Sequence, residues 1–364
     1  MKSLFFSRHR NASGPRMAVD SGSASASIDE FSLKSSTLAS DITGRISSSS
    51  LASDISSRIS NWMHPKTRRI VRLGGDELLV ETVYGYHMVI PGWNLDVGVG
   101  IARDGVIEPW TNQVLISLLS PGDHVVNVGA NFGFYSLLAA QRVGSSGRVY
   151  AIEANPEVFP YLVKGTFWSG FPNIVQAYNC AAVSPDKHKQ PLEFFSDPQF
   201  IGGGNLFGGG DQARTELKDC LWNSTNIRET LDDNRKFTCR GVFTKVMTEG
   251  RTVDSLVTDP IKAMLIDAEG SESFVIGGAK ETIRKSPNLS IILEWDPVSY
   301  RANDYRRPYI DDMWNFLLEE QGFKASRICP ENYRGIGSYP EVIPLDKASL
   351  FNVPHSDLLL QRNR

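Results

Sequence analysis

Residues 124–140 read HVVNVGANFGFYSLLAA. An apolar run from His124 to Val128 breaks at the glycine turn Gly129-Ala130-Asn131-Phe132-Gly133 and passes directly into an apolar helical pattern from Phe134 to Ala140. A strand feeding a tight glycine turn and a helix N-terminus is how α/β folds cradle a nucleotide-like ligand. Glycine lets the backbone turn sharply and approach the ligand with no Cβ in the way. The free amides and partial positive charge of the first helical turn favour a carboxylate or phosphate. The next strand-like segment, Arg148 to Ile152, ends in Glu153. An acidic residue at that tip, roughly two dozen positions past the turn, is placed to accept hydrogen bonds from ribose hydroxyls.

Two glycines four apart are a weak signal by themselves. The strand before them, the helix after them and Glu153 make it specific. The spacing lacks the middle glycine that lets a pyrophosphate come close, so the expected ligand carries a ribose and an anion but no pyrophosphate. S-adenosylmethionine fits, with a ribose diol for Glu153 and a methionine carboxylate for the helix N-terminus. Asn127, Gly129, Ala130, Asn131, Gly133, Glu153 and Ala154 are therefore candidate cofactor contacts. Asn179-Cys180-Ala181-Ala182 ends the third strand with small residues that leave room for a flat ring, which places Cys180 and Ala181 at the adenine edge.

From about Val83 to the C-terminus the chain resembles the FkbM family of S-adenosylmethionine-dependent methyltransferases. The likeness is carried by Asp96 to Trp110 (DVGVGIARDGVIEPW), which is similar to the family's lead-in, and by Leu119-Ser120-Pro121-Gly122-Asp123 before strand one. Val128-Gly129-Ala130-Asn131-Phe132-Gly133 matches the family's loop. Ile266-Asp267-Ala268-Glu269-Gly270-Ser271-Glu272 followed by Gly277-Gly278-Ala279 is similar to its second signature, and Ile291-Ile292-Leu293-Glu294 to its next strand. Two departures stand out: Asn127 where an aspartate is usual, and Leu265 where a lysine often precedes the second signature. The resemblance implies a class I methyltransferase fold, Rossmann-like, with a seven-stranded, mostly parallel sheet, an antiparallel final strand and helices on both faces. It implies methyl transfer to a hydroxyl of a sugar or other polyhydroxylated small molecule.

The residues themselves support an α/β reading. Strands ending at Val128 and Ile152, another near Ile174 to Ala182, and two more at Ala263 to Ile266 and Leu289 to Leu293 alternate with helices at Pro156 to Gly165, Ser273 to Lys285 and Ile310 to Gln321. Late strands near Lys324 to Cys329 and Leu358 to Gln361 close the sheet. Such alternation predicts a parallel sheet covered on both faces. Ahead of it, Ile70 to Ile90 alternates in strand fashion and reads as a β-hairpin cap. Residues 61–364 form the expected catalytic domain, with 61–115 as N-terminal cap and 192–251 as a long glycine-rich insertion on the ligand face. Residues 1–60 are serine-rich and carry a repeat with a 13-residue period, Ser36 to Ser47 recurring as Ser49 to Ser60. That composition predicts a disordered tail or linker, although its leucines and isoleucines at four-residue spacing would also suit short docking helices.

The whole chain has 364 residues, is 41% hydrophobic and carries a net charge of −3, enough for a sizeable core and no electrostatic reason to expect nucleic acid. Four dispersed cysteines, Cys180, Cys220, Cys239 and Cys329, disfavour a zinc site or disulfide scaffold and suit a reducing compartment. No apolar run approaches the ~20 residues of a membrane helix. A cytoplasmic location is expected; the alternative is an organelle, reached through the basic, acid-free first nineteen residues.

Methyl transfer from a sulfonium requires an in-line acceptor and a base for a hydroxyl proton. Asp267 and Glu269 at the end of strand four, and Glu294 at the end of strand five, are the catalytic candidates, with Asp267 also facing the cofactor amine. In the turn that Gly270 opens, Asp267 and Glu269 could converge. Glu269 could instead cap the helix starting near Ser271. The same three carboxylates could hold a divalent ion, but no metal is assigned. Competing readings are a non-catalytic binding protein on this fold and a nicotinamide-dependent oxidoreductase. Oligomeric state has no sequence signal.

Overall fold

The chain divides after Thr67, and the following description concerns Arg68–Arg364. The computed structural model describes residues 69–197, 200–206, 244–297 and 304–362. The serine-rich segment, its repeat and the middle of the 192–251 insertion lie outside the described residues.

Fifteen strands are described. β1 (Ile70–Gly74), β2 (Glu77–Glu81) and β3 (His87–Pro91) form an antiparallel three-stranded meander, one strand more than the expected hairpin. The turns at Gly74-Gly75 and Gly85 all use positive φ, which makes both reversals possible. Helices α1 (Val97–Asp104) and α2 (Pro109–Leu118) follow. The central sheet then begins with β4 (His124–Val128), α3 (Phe134–Val143), β5 (Arg148–Glu153), α4 (Phe159–Trp168) and β6 (Val175–Asn179).

The predicted third strand is broken at Cys180. Its end, β7 (Ala181–Ala182), leaves the central sheet and pairs with a smaller one. That second sheet, in the order β7-β10-β8-β9, contains β8 (Pro191–Asp197), β9 (Phe200–Asn205) and β10 (Thr244–Arg251). Both described ends of the expected loop insertion are therefore strands. After the short α5 (Val253–Leu256) come β11 (Ala263–Ile266), α6 (Glu272–Gly277) and α7 (Lys280–Arg284), then β12 (Ser290–Trp295) and α8 (Arg307–Trp314). The helix expected over 273–285 is two helices because Gly278 sits against the β7 exit. A Cβ there would lie 2.0 Å from the Val183 carbonyl. α8 continues as a π-helical stretch, Asn315–Glu320. β13 (Phe323–Cys329), β14 (Glu341–Leu345) and β15 (Ser356–Arg362) complete the chain.

The central sheet has the order β14-β13-β15-β12-β11-β4-β5-β6. The five strands from β12 to β6 are mutually parallel, and β15 inserts antiparallel between β12 and β13. The expected seven strands are joined by an eighth, β14, at the edge beyond β13. Its burial pattern is largely exposed, so no buried apolar run announces it in the sequence. Alternation along β4 divides the core between two faces. Val126 and Val128 join one apolar cluster with Val275 and Ile276 of α6 and Trp314 of α8. Val125 joins another with Leu137 and Leu138 of α3, Leu162 of α4 and Met88 and Ile90 of β3. Helices thus cover both faces, and the meander closes the α3–α4 side. Among the described residues no helix is long and apolar enough to cross a membrane.

Candidate active site

The carboxyl ends of β4, β5, β11 and β12 open into a cavity of about 500 Å³. Its floor is the glycine turn. Gly129 has φ +76°, and a Cβ on it would lie 1.7 Å from the Asp267 carbonyl oxygen. Glycine is therefore required both for the turn and for the close approach of β4 and β11. Asn131 also sits in the left-handed region, at φ +49°, and its Oδ1 accepts from the Phe132 amide at 2.7 Å. This local bond makes the conformation tolerable for asparagine.

Glu153 turns its carboxylate back across the loop. Oε2 accepts from the Asn131 amide and Oε1 from the Asn155 amide, each at 2.7 Å. A carboxylate has about four acceptor positions; the Ala154 amide also acts on this one, which leaves acceptor capacity for a ligand. Burial raises its pKa, and the backbone hydrogen bonds only partly oppose the shift. Ala154, Asn155, Cys180, Ala181 and Ala182 continue the wall. Burial pushes the Cys180 thiol up to about 12, so it is an uncharged, small apolar surface.

Two predicted cofactor residues are placed elsewhere. Asn127 is buried below the lining and donates from Nδ2 to the Ser136 hydroxyl at 2.9 Å, joining β4 to α3. Gly133 also lies off the lining. It is needed because its φ is +95° and a Cβ would come 2.7 Å from Leu162 Cδ1 of α4. Gly129, Ala130, Asn131, Glu153, Ala154, Cys180, Ala181 and Asp267 all line the cavity.

The three catalytic candidates converge: ligand oxygens of Asp267, Glu269 and Glu294 lie within 4.8 Å of one another, a spacing one oxygen-ligated cation would also suit. Convergence depends on the left-handed Glu269 (φ +48°) and Gly270 (φ +90°). The turn is held by Glu272, whose Oε1 accepts from the Ala268 and Gly270 amides, both at 3.1 Å. Glu272, rather than Glu269, thus does the local structural work, and Glu269 faces the cavity. All three carboxyls are open to the cavity but walled by protein. Desolvation first, and the neighbouring carboxylates second, raise each pKa well above the ordinary range.

Sequence reasoning missed Glu108, Tyr135, Asp357 and His355. Glu108, ahead of α2, lines the cavity and accepts a hydrogen bond from the Tyr135 hydroxyl. Asp357 accepts from the Thr111 hydroxyl. Sheet register sets Asp357 directly beside Glu294. His355 Nε2 lies 2.7 Å from Glu294 Oε1. Only Glu108 had a local sign, an acid preceding proline at a helix start. Asp357 lies in β15, whose neighbours are fixed by the sheet, His355 immediately precedes that strand, and Tyr135 comes from α3. Above the cavity, β9 supplies Ile201, Gly202 and Gly204, and Asn155 Nδ2 donates to Ser196 of β8 at 3.2 Å. Asp96 latches this strand: Oδ2 accepts from Gly202 at 2.7 Å while Oδ1 accepts from Val97 at 2.6 Å.

The family model for the methyltransferase FkbM domain matches residues 127–325. Protein-L-isoaspartate O-methyltransferase of Aeropyrum pernix is 39% identical over 56 residues, 15% of this chain; the match spans only 22% of that relative's length. Among solved structures, methyltransferase FkbM from Methylobacillus flagellatus KT is 11% identical, with 68% of this chain and 50% of that chain covered and a TM-score of 0.35. The O-methyltransferase from Bacillus cereus in complex with SAH is 12% identical, covering 71% of this chain and 83% of that one at a TM-score of 0.36. With more than half of its length matched by the family model, and with that match spanning the glycine turn, Glu153 and the Asp267–Glu294 cluster, the chain belongs to the FkbM family of S-adenosylmethionine-dependent methyltransferases.

Proposed function

We propose that the chain methylates a hydroxyl of a neutral or cationic polyhydroxylated small molecule, carbohydrate-like in character. The observation that carries this reading is the acid-rich lining of the cavity. Asp104, Glu108, Glu153, Asp267, Glu269 and Glu294 line it, and among the described lining residues there is no lysine, arginine or histidine. A phosphorylated or carboxylated acceptor would be repelled there. A sulfonium and an ammonium would be welcomed, as would hydroxyls that donate to carboxylates.

S-adenosylmethionine, when bound, supplies an electrophilic methyl group. The protein's residues do the rest. Glu153 accepts from the ribose hydroxyls through its remaining acceptor capacity. Gly129 admits the ligand close to the backbone. Cys180, Ala181 and Ala182 leave a flat, apolar slot for the adenine. Asp267 faces the cofactor's cationic side, and Glu269 and Glu294 present acceptors to a hydroxyl. Calorimetry with S-adenosylhomocysteine and incubation of methyl-labelled cofactor with a small-molecule extract test the reading. Label appearing in neutral polyols supports it. Label found only in phosphorylated or carboxylated products would overturn the acceptor assignment. Cofactor binding without transfer to any acceptor would favour a non-catalytic binding role. Tight binding of a nicotinamide cofactor in place of S-adenosylhomocysteine would replace the reading altogether.

A further inference from the structure

Glu108 is built differently from an ordinary helix cap. It occupies the N-cap position of α2 yet makes no side-chain capping bond. It adopts φ +39°, a left-handed conformation disfavoured for a residue with a Cβ. That backbone turns the side chain into the cavity, where Tyr135, itself a lining residue from the first turn of α3, donates its hydroxyl to the carboxylate. The Tyr135 phenol is held well above its usual range by burial and by Glu108 and Asp357, so it stays a donor. Asp357, fixed by Thr111, sets a second negative charge beside Glu108, and His355 offsets part of it.

We propose that Glu108, positioned by Tyr135, takes the proton from the acceptor hydroxyl during methyl transfer. This rests on the methyltransferase reading above. As the O–C bond forms, the C–S bond breaks and its electron pair stays on sulfur. The hydroxyl proton passes to the Glu108 carboxylate and then to solvent through the open cavity. Burial and the Asp357 charge raise the Glu108 pKa to about 7, where a carboxylate is both available as a base at neutral pH and strong enough to act as one. The other charged groups that act on Glu108's surroundings are Asp267 and Glu269 across the cavity.

The test uses the full chain loaded with S-adenosylhomocysteine, in the wild type, Glu108→Gln and Tyr135→Phe. Asp267, Glu269 and Glu294 also keep their protons above the ordinary carboxyl range, so the readout is the difference between variants. Infrared spectra should show a component of the protonated-carboxyl absorption that is lost between about pH 6 and pH 8 in the wild type and is missing from Glu108→Gln. In Tyr135→Phe the same loss should move to higher pH, because a donor to the charged form is gone. With methyl-labelled cofactor and a panel of monosaccharides and inositols, Glu108→Gln should turn over about 100-fold more slowly and lose the rise in rate through neutral pH, with S-adenosylhomocysteine affinity unchanged. The same loss of absorption between about pH 6 and pH 8 in Glu108→Gln as in the wild type, or turnover within twofold of the wild type, overturns the assignment. Failure of the wild type to bind S-adenosylhomocysteine would instead overturn the methyltransferase reading. The infrared arm needs no acceptor and decides whether Glu108 titrates near neutrality; the turnover arm decides whether it takes the acceptor's proton.

Discussion

Glu153→Gln should separate cofactor affinity from stability. In the free protein each Glu153 oxygen already accepts one loop amide at 2.7 Å. Glutamine keeps one acceptor oxygen and sets an NH₂ group against the other amide. One charge-assisted hydrogen bond is lost to the loop and one to the ribose, each worth roughly 1.5–3 kcal/mol before compensation. The wild-type residue also bears the penalty of a buried charge: desolvation outweighs its backbone hydrogen bonds and raises its pKa. Removing the charge relieves that penalty in the free protein, so loop and burial effects oppose each other there. In the complex only the ribose loss remains. The expected result is affinity for S-adenosylhomocysteine weaker by about 1–3 kcal/mol, or roughly 5- to 150-fold, with a melting temperature close to the wild type's. Titration calorimetry measures the first and scanning calorimetry the second. Wild-type affinity should also decline on acidification, as Glu153 protonates, while that of Glu153→Gln stays flat. Unchanged affinity in a folded variant would refute the ribose assignment.

Gly129→Ala should abolish measurable S-adenosylhomocysteine binding and lower the melting temperature, since its methyl would fall 1.7 Å from the Asp267 carbonyl at a positive φ; a normally binding variant would show that β11 yields freely. The ligand-free protein should lose stability as pH rises from the ordinary carboxyl value toward neutrality. Glu108, with its folded-state value raised from 4.5 to about 7, binds more protons folded than unfolded across that window, and Asp267, Glu269 and Glu294 act in the same direction. Melting curves at successive pH values check the sign, and a rise in stability between pH 5 and 7 would contradict it. We also propose that residues 1–60 are a separate tail, so a chain starting near Asn61 should keep its melting temperature and its affinity for S-adenosylhomocysteine; aggregation of that truncation would instead mean that the repeat's apolar stripes cover the domain.

What the sequence determined by itself was everything written in contiguous residues. The run from His124 to Ala140 specified a strand, a glycine turn and a helix, because apolar periodicity and glycine's access to positive φ are local properties. Glu153 was legible because strand tips follow such turns at a regular interval, and the Asp267–Glu272 block because its carboxylates flank a glycine. Local pattern did not show where every motif residue lies: Asn127 donates to Ser136 and Gly133 packs close to Leu162, and neither lines the cavity. The second sheet stayed hidden because β7, β8, β9 and β10 are short, glycine-containing or half-exposed, and their pairing joins residues far apart in the chain. Tertiary structure alone put Asp357 beside Glu294, because that neighbour exists only in the antiparallel register of β15 on β12. It alone brought Tyr135 to Glu108 and latched Gly202 to Asp96. It also set the acidity of the cavity, since a carboxylate's pKa depends on how many others share its low-dielectric surroundings, and that sum is taken over space rather than along the chain.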